Sequence, residues 1–136
     1  MTRVVGLPSL MGKTPKPRMP VMANRPDPFA LDVVGDLKRR LTARFGNRLA
    51  AVYLFGSRAR GDHRPDSDAD VAVFLRDAPA DPFDVEREIV EDGYDLLLER
   101  GLYIQPWAFD ADLLSHPDAA RLGSLRASVF RDGVRV

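Results

Sequence analysis

Three aspartates stand two residues apart in the middle of the chain, Asp66, Asp68 and Asp70, and the last two open the apolar run that ends at Leu75. In an extended strand, residues two apart point to the same face. Asp68 and Asp70 therefore present two carboxylates side by side, while Val71, Val73 and Leu75 face the core. Adjacent carboxylates resist ionising together, and a cation removes that penalty. Mg²⁺ suits the task, because it is hard, prefers oxygen ligands and typically uses one or two carboxylates together with phosphate oxygens. Upstream, Gly56-Ser57 follows directly on the apolar run Leu49 to Phe55. A glycine there allows a sharp turn and lets a phosphate approach the backbone. Exposed N–H groups in such a turn, or at the start of a following helix, bind anions. The Ser57 hydroxyl can add a hydrogen bond, and Arg58 and Arg60 bring positive charge. A phosphate cradle beside a two-carboxylate metal site is what phosphoryl and nucleotidyl transfer require.

Something must hold these groups in place, and the surrounding sequence supplies it. Asp27-Pro28 reads as a helix start, an N-cap followed by proline at the first helical position. Leu31, Val34, Leu37, Leu41 and Phe45 follow at spacings of three and four, one face of a helix that Gly46-Asn47 ends. Leu49 to Phe55 reads as a buried strand and Asp68 to Leu75 as a second. Ala80-Asp81-Pro82 starts another helix, closed by Gly101, with Gly93 as an internal weak point that predicts a break. Leu102 to Phe109 reads as a third strand, and Pro106 places it at an edge or bends it. A last helical segment includes Leu113, Leu114, Leu122, Leu125, Val129 and Phe130 and stops at Gly133. The alternation predicts an α/β or α+β domain with a small mixed sheet flanked by helices.

Residues 1–27 differ from the rest: five prolines and no helical or strand period predict a flexible, Pro-rich tail, with the folded domain spanning residues 28–136. Met11, Met19 and Met22 leave the true start open. The tail holds Gly6 and Gly12-Lys13-Thr14, but a phosphate-binding P-loop needs four residues between its glycines, and five stand here. Lys+Arg and Asp+Glu each number 20, so the formal charge is zero and there is no strong nucleic-acid signal. The absence of cysteine excludes disulfides and thiolate metal sites. No apolar run is long enough to span a membrane, and the N-terminus lacks the apolar core of a secretory signal, so the expected location is cytoplasmic. His63 and His116 have no matching ligand cluster and are expected at the surface. Tyr103, Trp107 and Phe109 are expected in the core or an interface.

The string GSRARGDHRPDSDADVAVF, with ten residues between Gly56-Ser57 and Asp68-Ala69-Asp70, resembles the nucleotidyltransferase superfamily related to DNA polymerase β, and within it the minimal nucleotidyltransferases of bacteria and archaea. The likeness covers roughly residues 30–136, and its specificity is concentrated in residues 52–75. It implies that Asp68 and Asp70 are catalytic Mg²⁺ ligands, and that Gly56 and Ser57 hold the triphosphate, with Arg58 and Arg60 matching the motif. It further implies transfer of a nucleoside monophosphate, AMP from ATP or the equivalent from another NTP, to a protein or other hydroxyl. Minimal members often pair with a HEPN-type ribonuclease toxin and act as its antitoxin. Arg131-Asp132-Gly133-Val134 resembles the end of that family's last helix.

One departure stands out. Family members commonly add a third carboxylate from a later strand, whereas the third strand here, Leu102 to Trp107, contains no acid. Gln105 matches that position, and Asp95 and Asp110 flank the strand. This leaves a second reading: a catalytically weak or inactive nucleotide-binding module that neutralises a protein partner by binding it. Adenylylation of an antibiotic hydroxyl is a third, for which the chain is short. The acceptor, the preferred base and the oligomeric state are not encoded legibly.

Overall fold

The computed structural model describes residues 25–116 and 124–136. The P-loop-like glycines, the three alternative methionines, Leu122 and nearly all of the expected tail lie outside the described residues.

Helix α1 (Pro28–Phe45) begins as its sequence predicts: the Asp27 carboxylate accepts a hydrogen bond from the Phe29 N–H at 3.1 Å, with Pro28 in the first turn. Asp27, counted with the tail above, is itself buried. One face of α1, including Val33, Val34, Leu37 and Leu41, is fully buried. A 3₁₀ turn (Gly46–Arg48) leads into β1 (Leu49–Phe55), and the short helix α2 (Ser57–Arg60) follows Gly56. Strand β2 (Ala69–Leu75) returns antiparallel to β1, with Phe55 paired to Asp70. Helix α3 (Phe83–Arg100) then crosses to β3 (Ile104–Asp110), which runs parallel to β2. After a 3₁₀ turn (Ala111–Leu114) and helix α4 (Ser124–Asp132), β4 (Val134–Arg135) pairs antiparallel with β1. The four-stranded mixed sheet has the order β3-β2-β1-β4, so the fold is the small mixed sheet with flanking helices that the element order predicts.

The sheet separates two apolar clusters. Val52, Leu54, Val71, Val73 and Leu75 pack with the inner faces of α1 and α3. Ala51, Phe55, Ala72 and Phe74 face the other way, against Val129 of α4, with Tyr53, Trp107 and Phe109 around them. Arginines and acids line the α1–α3 seam, where Arg44 reaches Asp92 at 3.0 Å and Arg100 reaches Asp32 at 2.5 Å.

Three expectations are corrected. Helix α3 is continuous through Gly93, which is buried and lets the helix lie close to β3, since an added Cβ would sit 3.6 Å from that of Ile104. The last helix ends at Asp132, and Val134 belongs to a strand: two residues are too few to show a period. His63 is mostly buried rather than at the surface, with Nε2 3.4 Å from the Asp27 carboxylate. Pro106 does lie on an edge strand. There the Glu86 carboxylate of α3 accepts a hydrogen bond from the Ala108 N–H at 2.8 Å.

Candidate active site

The site forms where β1 ends and β2 begins. Because Phe55 pairs with Asp70, the turn at Gly56 starts level with the Asp70 carboxylate. Gly56 has φ +75° and ψ −155°, a backbone region open essentially to glycine alone. It also lies against Asp70, where an added Cβ would overlap carboxylate Oδ2 and come within 3.2 Å of Cγ. The glycine therefore serves the chain direction and the space needed by Asp70 together. Gly56→Ala is expected to cost about 2 kcal/mol, from the strained backbone and the overlap. Denaturant unfolding checks this, and a loss below about 0.5 kcal/mol would contradict the account.

Ser57 opens α2, whose first N–H groups have no preceding turn to bond. Asp68 is exposed, immediately before β2, and Asp70 is half-buried within the strand. The two carboxylates are close enough to repel. Burial, before all else, pushes the Asp70 pKa up; the Trp107 indole N–H opposes this, the Asp68 charge adds to it and Arg60 opposes it. This donor set fits Mg²⁺: two carboxylates whose joint ionisation is disfavoured until a cation arrives, with room left for phosphate oxygens. No cluster of three or more metal-ligating side chains occurs among the described residues.

The raised pKa has a consequence for stability. The folded chain holds the Asp70 proton to higher pH than the unfolded chain, so stability falls as pH rises from the unfolded carboxylate range through the folded pKa. Asp70→Asn removes that penalty. Without divalent cations its Tm at pH 7 is expected to exceed that of the wild type by roughly 2–5 °C, and the two should converge below about pH 3. Thermal melts in EDTA measure both, and a lower Tm at pH 7 for Asp70→Asn would contradict the sign.

The two arginines divide. Arg60 lies within electrostatic reach of Asp70 while ion-paired to Asp62 and Asp132, each at 3.1 Å, so it ties α2 to the end of α4. Arg58, expected at the phosphate, points inward and is 5% exposed. Its guanidinium reaches the Asp27 carboxylate at 2.5 Å and the Ser67 and Pro65 carbonyls at 2.9 and 3.2 Å. Its own carbonyl accepts a hydrogen bond from the Asp27 N–H at 2.8 Å. That placement corrects the assignment of Arg58 to nucleotide binding: its donors are committed to fixing the loop between α2 and β2.

Of the residues weighed as a third acid, Gln105 is the one at the site, paired in register with Asp70. Asp110 pairs with Leu75 at the opposite end of β2, and Asp95 lies on α3, 3.9 Å from Arg40. Neither can join Asp68 and Asp70. Sequence reasoning missed Trp107 as a neighbour of Asp70. Counting by twos along a strand parallel to β2 could have suggested it.

A family model, the nucleotidyltransferase domain, matches residues 34–111, more than half of the chain. The chain belongs to the nucleotidyltransferase domain family. Its fold is similar to that of a protein from Sulfolobus solfataricus provisionally named a nucleotidyltransferase, at 20% identity and TM-score 0.48, over 88% of this chain and 87% of the other. It is likewise similar to a chain from a toxin–antitoxin complex with AMP-PNP, at 20% identity and TM-score 0.47, over 74% and 69% of the two chains. No curated protein matches the chain significantly. Among the described residues, no helix is long and apolar enough to cross a membrane.

Proposed function

We propose that this nucleotidyltransferase moves a nucleoside monophosphate, AMP from ATP in the simplest case, to a hydroxyl of a protein acceptor, with Asp68 and Asp70 as Mg²⁺ ligands. The observation that carries the reading is the seating of the Asp70 carboxylate against Gly56, which brings the two ends of the sequence motif to one point. Gly56 lets a triphosphate approach the backbone, Ser57 offers a hydroxyl and the N–H groups of the α2 turn, and Arg60 supplies positive charge beside Asp70. A bound Mg²⁺ would neutralise charge on the carboxylates and on the phosphates they face. The proposed folded unit runs from residue 28, with Asp27 as its cap, to residue 136.

The proposed partner is a HEPN-type toxin whose hydroxyl accepts the nucleotide. It rests on the resemblance of the motif string to minimal nucleotidyltransferases. A cytoplasmic location fits that role. The second reading, neutralisation by binding alone, is favoured by one observation: Gln105, not an acid, stands beside Asp70. Incubation with ATP labelled at the α-phosphate and a HEPN-type toxin offered as acceptor separates the two readings. Labelled toxin that disappears in EDTA and returns with Mg²⁺ supports transfer. Labelling unaffected by EDTA would defeat the metal reading, and toxin inhibition without any labelling would leave the binding module.

A further inference from the structure

Helix α3 is apolar on two sides. Val85, Ile89 and Leu96 are buried against the sheet, as an amphipathic helix requires. The outer side carries Phe83, Val90, Tyr94 and Leu98, each at least 45% exposed. Their spacing, with Arg87 in the first gap, places them on one stripe about 22 Å long. Tyr103, just before β3, adds another exposed ring. Among the described residues only Phe29 and Phe130 are large, apolar and exposed elsewhere. Single exposed apolar residues are ordinary, whereas a gathered patch marks a contact site. Between the stripe and β3 runs a groove of about 420 Å³, lined by Phe83, Arg87, Val90, Glu91, Tyr103 and Gln105. Gln105 pairs in register with Asp70, so the groove lies one strand away from that carboxylate.

Charge selects among occupants. Helix α3 holds seven acids and two arginines. Arg87 turns to Asp84, and Arg100 to Asp32 and Asp36 of α1. From α1, Arg40 and Arg44 reach Glu88, Glu91, Asp92, Asp95 and Glu99, two cations for five anions. The helix therefore stays acidic. A second copy would set these acids against themselves, whereas a basic partner meets them favourably. We propose that the outer stripe of α3, with the groove that includes Gln105, docks the protein partner through an amphipathic helix whose apolar stripe is bordered by lysine or arginine. The inference rests on the reading that this domain acts on a protein. A helix is the matching element, because its apolar residues recur every three or four positions as those of α3 do. The contact holds the partner beside Asp70 and uses neither nucleotide nor metal.

Two synthetic peptides test this on the full-length chain. They share one leucine stripe at helical spacing, flanked by lysine in one and by glutamate in the other. Fluorescence anisotropy without ATP or divalent ions should show the lysine peptide bound at least about tenfold more tightly than the glutamate peptide. Tyr94→Gln/Leu98→Gln should bind the lysine peptide at least about tenfold more weakly than the wild type does. Both positions are exposed, so this variant should melt within about 5 °C of the wild type. Amide shifts of the ¹⁵N-labelled wild type on adding the lysine peptide should centre on α3 and the start of β3. The proposal is overturned if the lysine peptide shows no binding by about 1 mM, or if the double variant binds within about twofold of the wild type. It is equally overturned if the glutamate peptide binds as well, or if the shifts centre on another element. A wild type that sediments as a dimer, with Tyr94→Gln/Leu98→Gln a monomer, would overturn it by giving the stripe to a second copy. Failure of the transfer reading looks different: the lysine peptide binds the wild type and Asp68→Ala/Asp70→Ala alike while no acceptor is labelled, and the docking surface stands. Should Tyr94→Gln/Leu98→Gln fail to fold, the position of the amide shifts decides.

Discussion

Asp68→Ala/Asp70→Ala is expected to lower nucleotidyl transfer at least about 10³-fold, equivalent to roughly 4 kcal/mol of transition-state stabilisation. The size follows from what remains afterwards. Asp95 and Asp110 are held elsewhere by α3 and by the far end of β3, so neither of them can take over as ligand. Arg60 would still face the phosphates, but a single guanidinium already shared by two carboxylates cannot replace a divalent ion. The loss should come without unfolding. Asp70 is the group that burial and Asp68 destabilise in its charged form, so the metal-free variant should melt at or above the wild-type temperature. Measuring rate and Tm on one preparation separates lost chemistry from lost structure. A rate within tenfold of wild type would show that the two carboxylates do not carry the reaction.

The largest expected loss of stability lies away from those carboxylates. Asp27→Ala should destabilise the domain by about 4 kcal/mol, because it leaves the Arg58 guanidinium buried without its counter-charge and removes the cap of α1. Against a typical total of about 5–15 kcal/mol this is a large fraction. Arg58 also pins the Ser67 and Pro65 carbonyls, so the loop leading to Asp68 should loosen at the same time. Asp27→Ala/Arg58→Met should cost less than the sum of the single changes, since the second removes the stranded charge. Urea unfolding of the four proteins in the cycle measures both terms. A cost below about 1 kcal/mol for Asp27→Ala would show that the pair is dispensable.

These two results bear on what the sequence could reveal. Local signals were legible: the cap and proline at Asp27-Pro28, the apolar run of β1, the glycine after it and the alternating acids at the head of β2 each act within a few residues. Their meeting was legible only through the motif's spacing, and register brought Asp70 to Gly56. The partner of Arg58 was hidden, because Asp27 is far away in sequence and an arginine two residues after a glycine turn that ends an apolar strand reads naturally as an anion contact. Gly93 misled for a similar reason. Helix propensity treats it as a weakness, whereas its use is close approach to Ile104, a property of packing between elements. β4 is too short to announce itself, and its partner lies at the opposite end of the domain sequence. Trp107 escaped notice as a neighbour of Asp70 because that placement depends on strand order.

The outer margin of β3 bears on how the protein behaves at high concentration. A bare strand edge invites another chain to dock along it and extend the sheet without limit. Here Pro106 has no N–H to offer, and the Ala108 N–H is already taken by Glu86. At the opposite margin, β4 presents only two residues. Among the described residues, lateral stacking of copies along β3 thus finds its row of N–H donors interrupted, and an incoming polypeptide that binds at this margin is expected to engage side chains rather than add a strand.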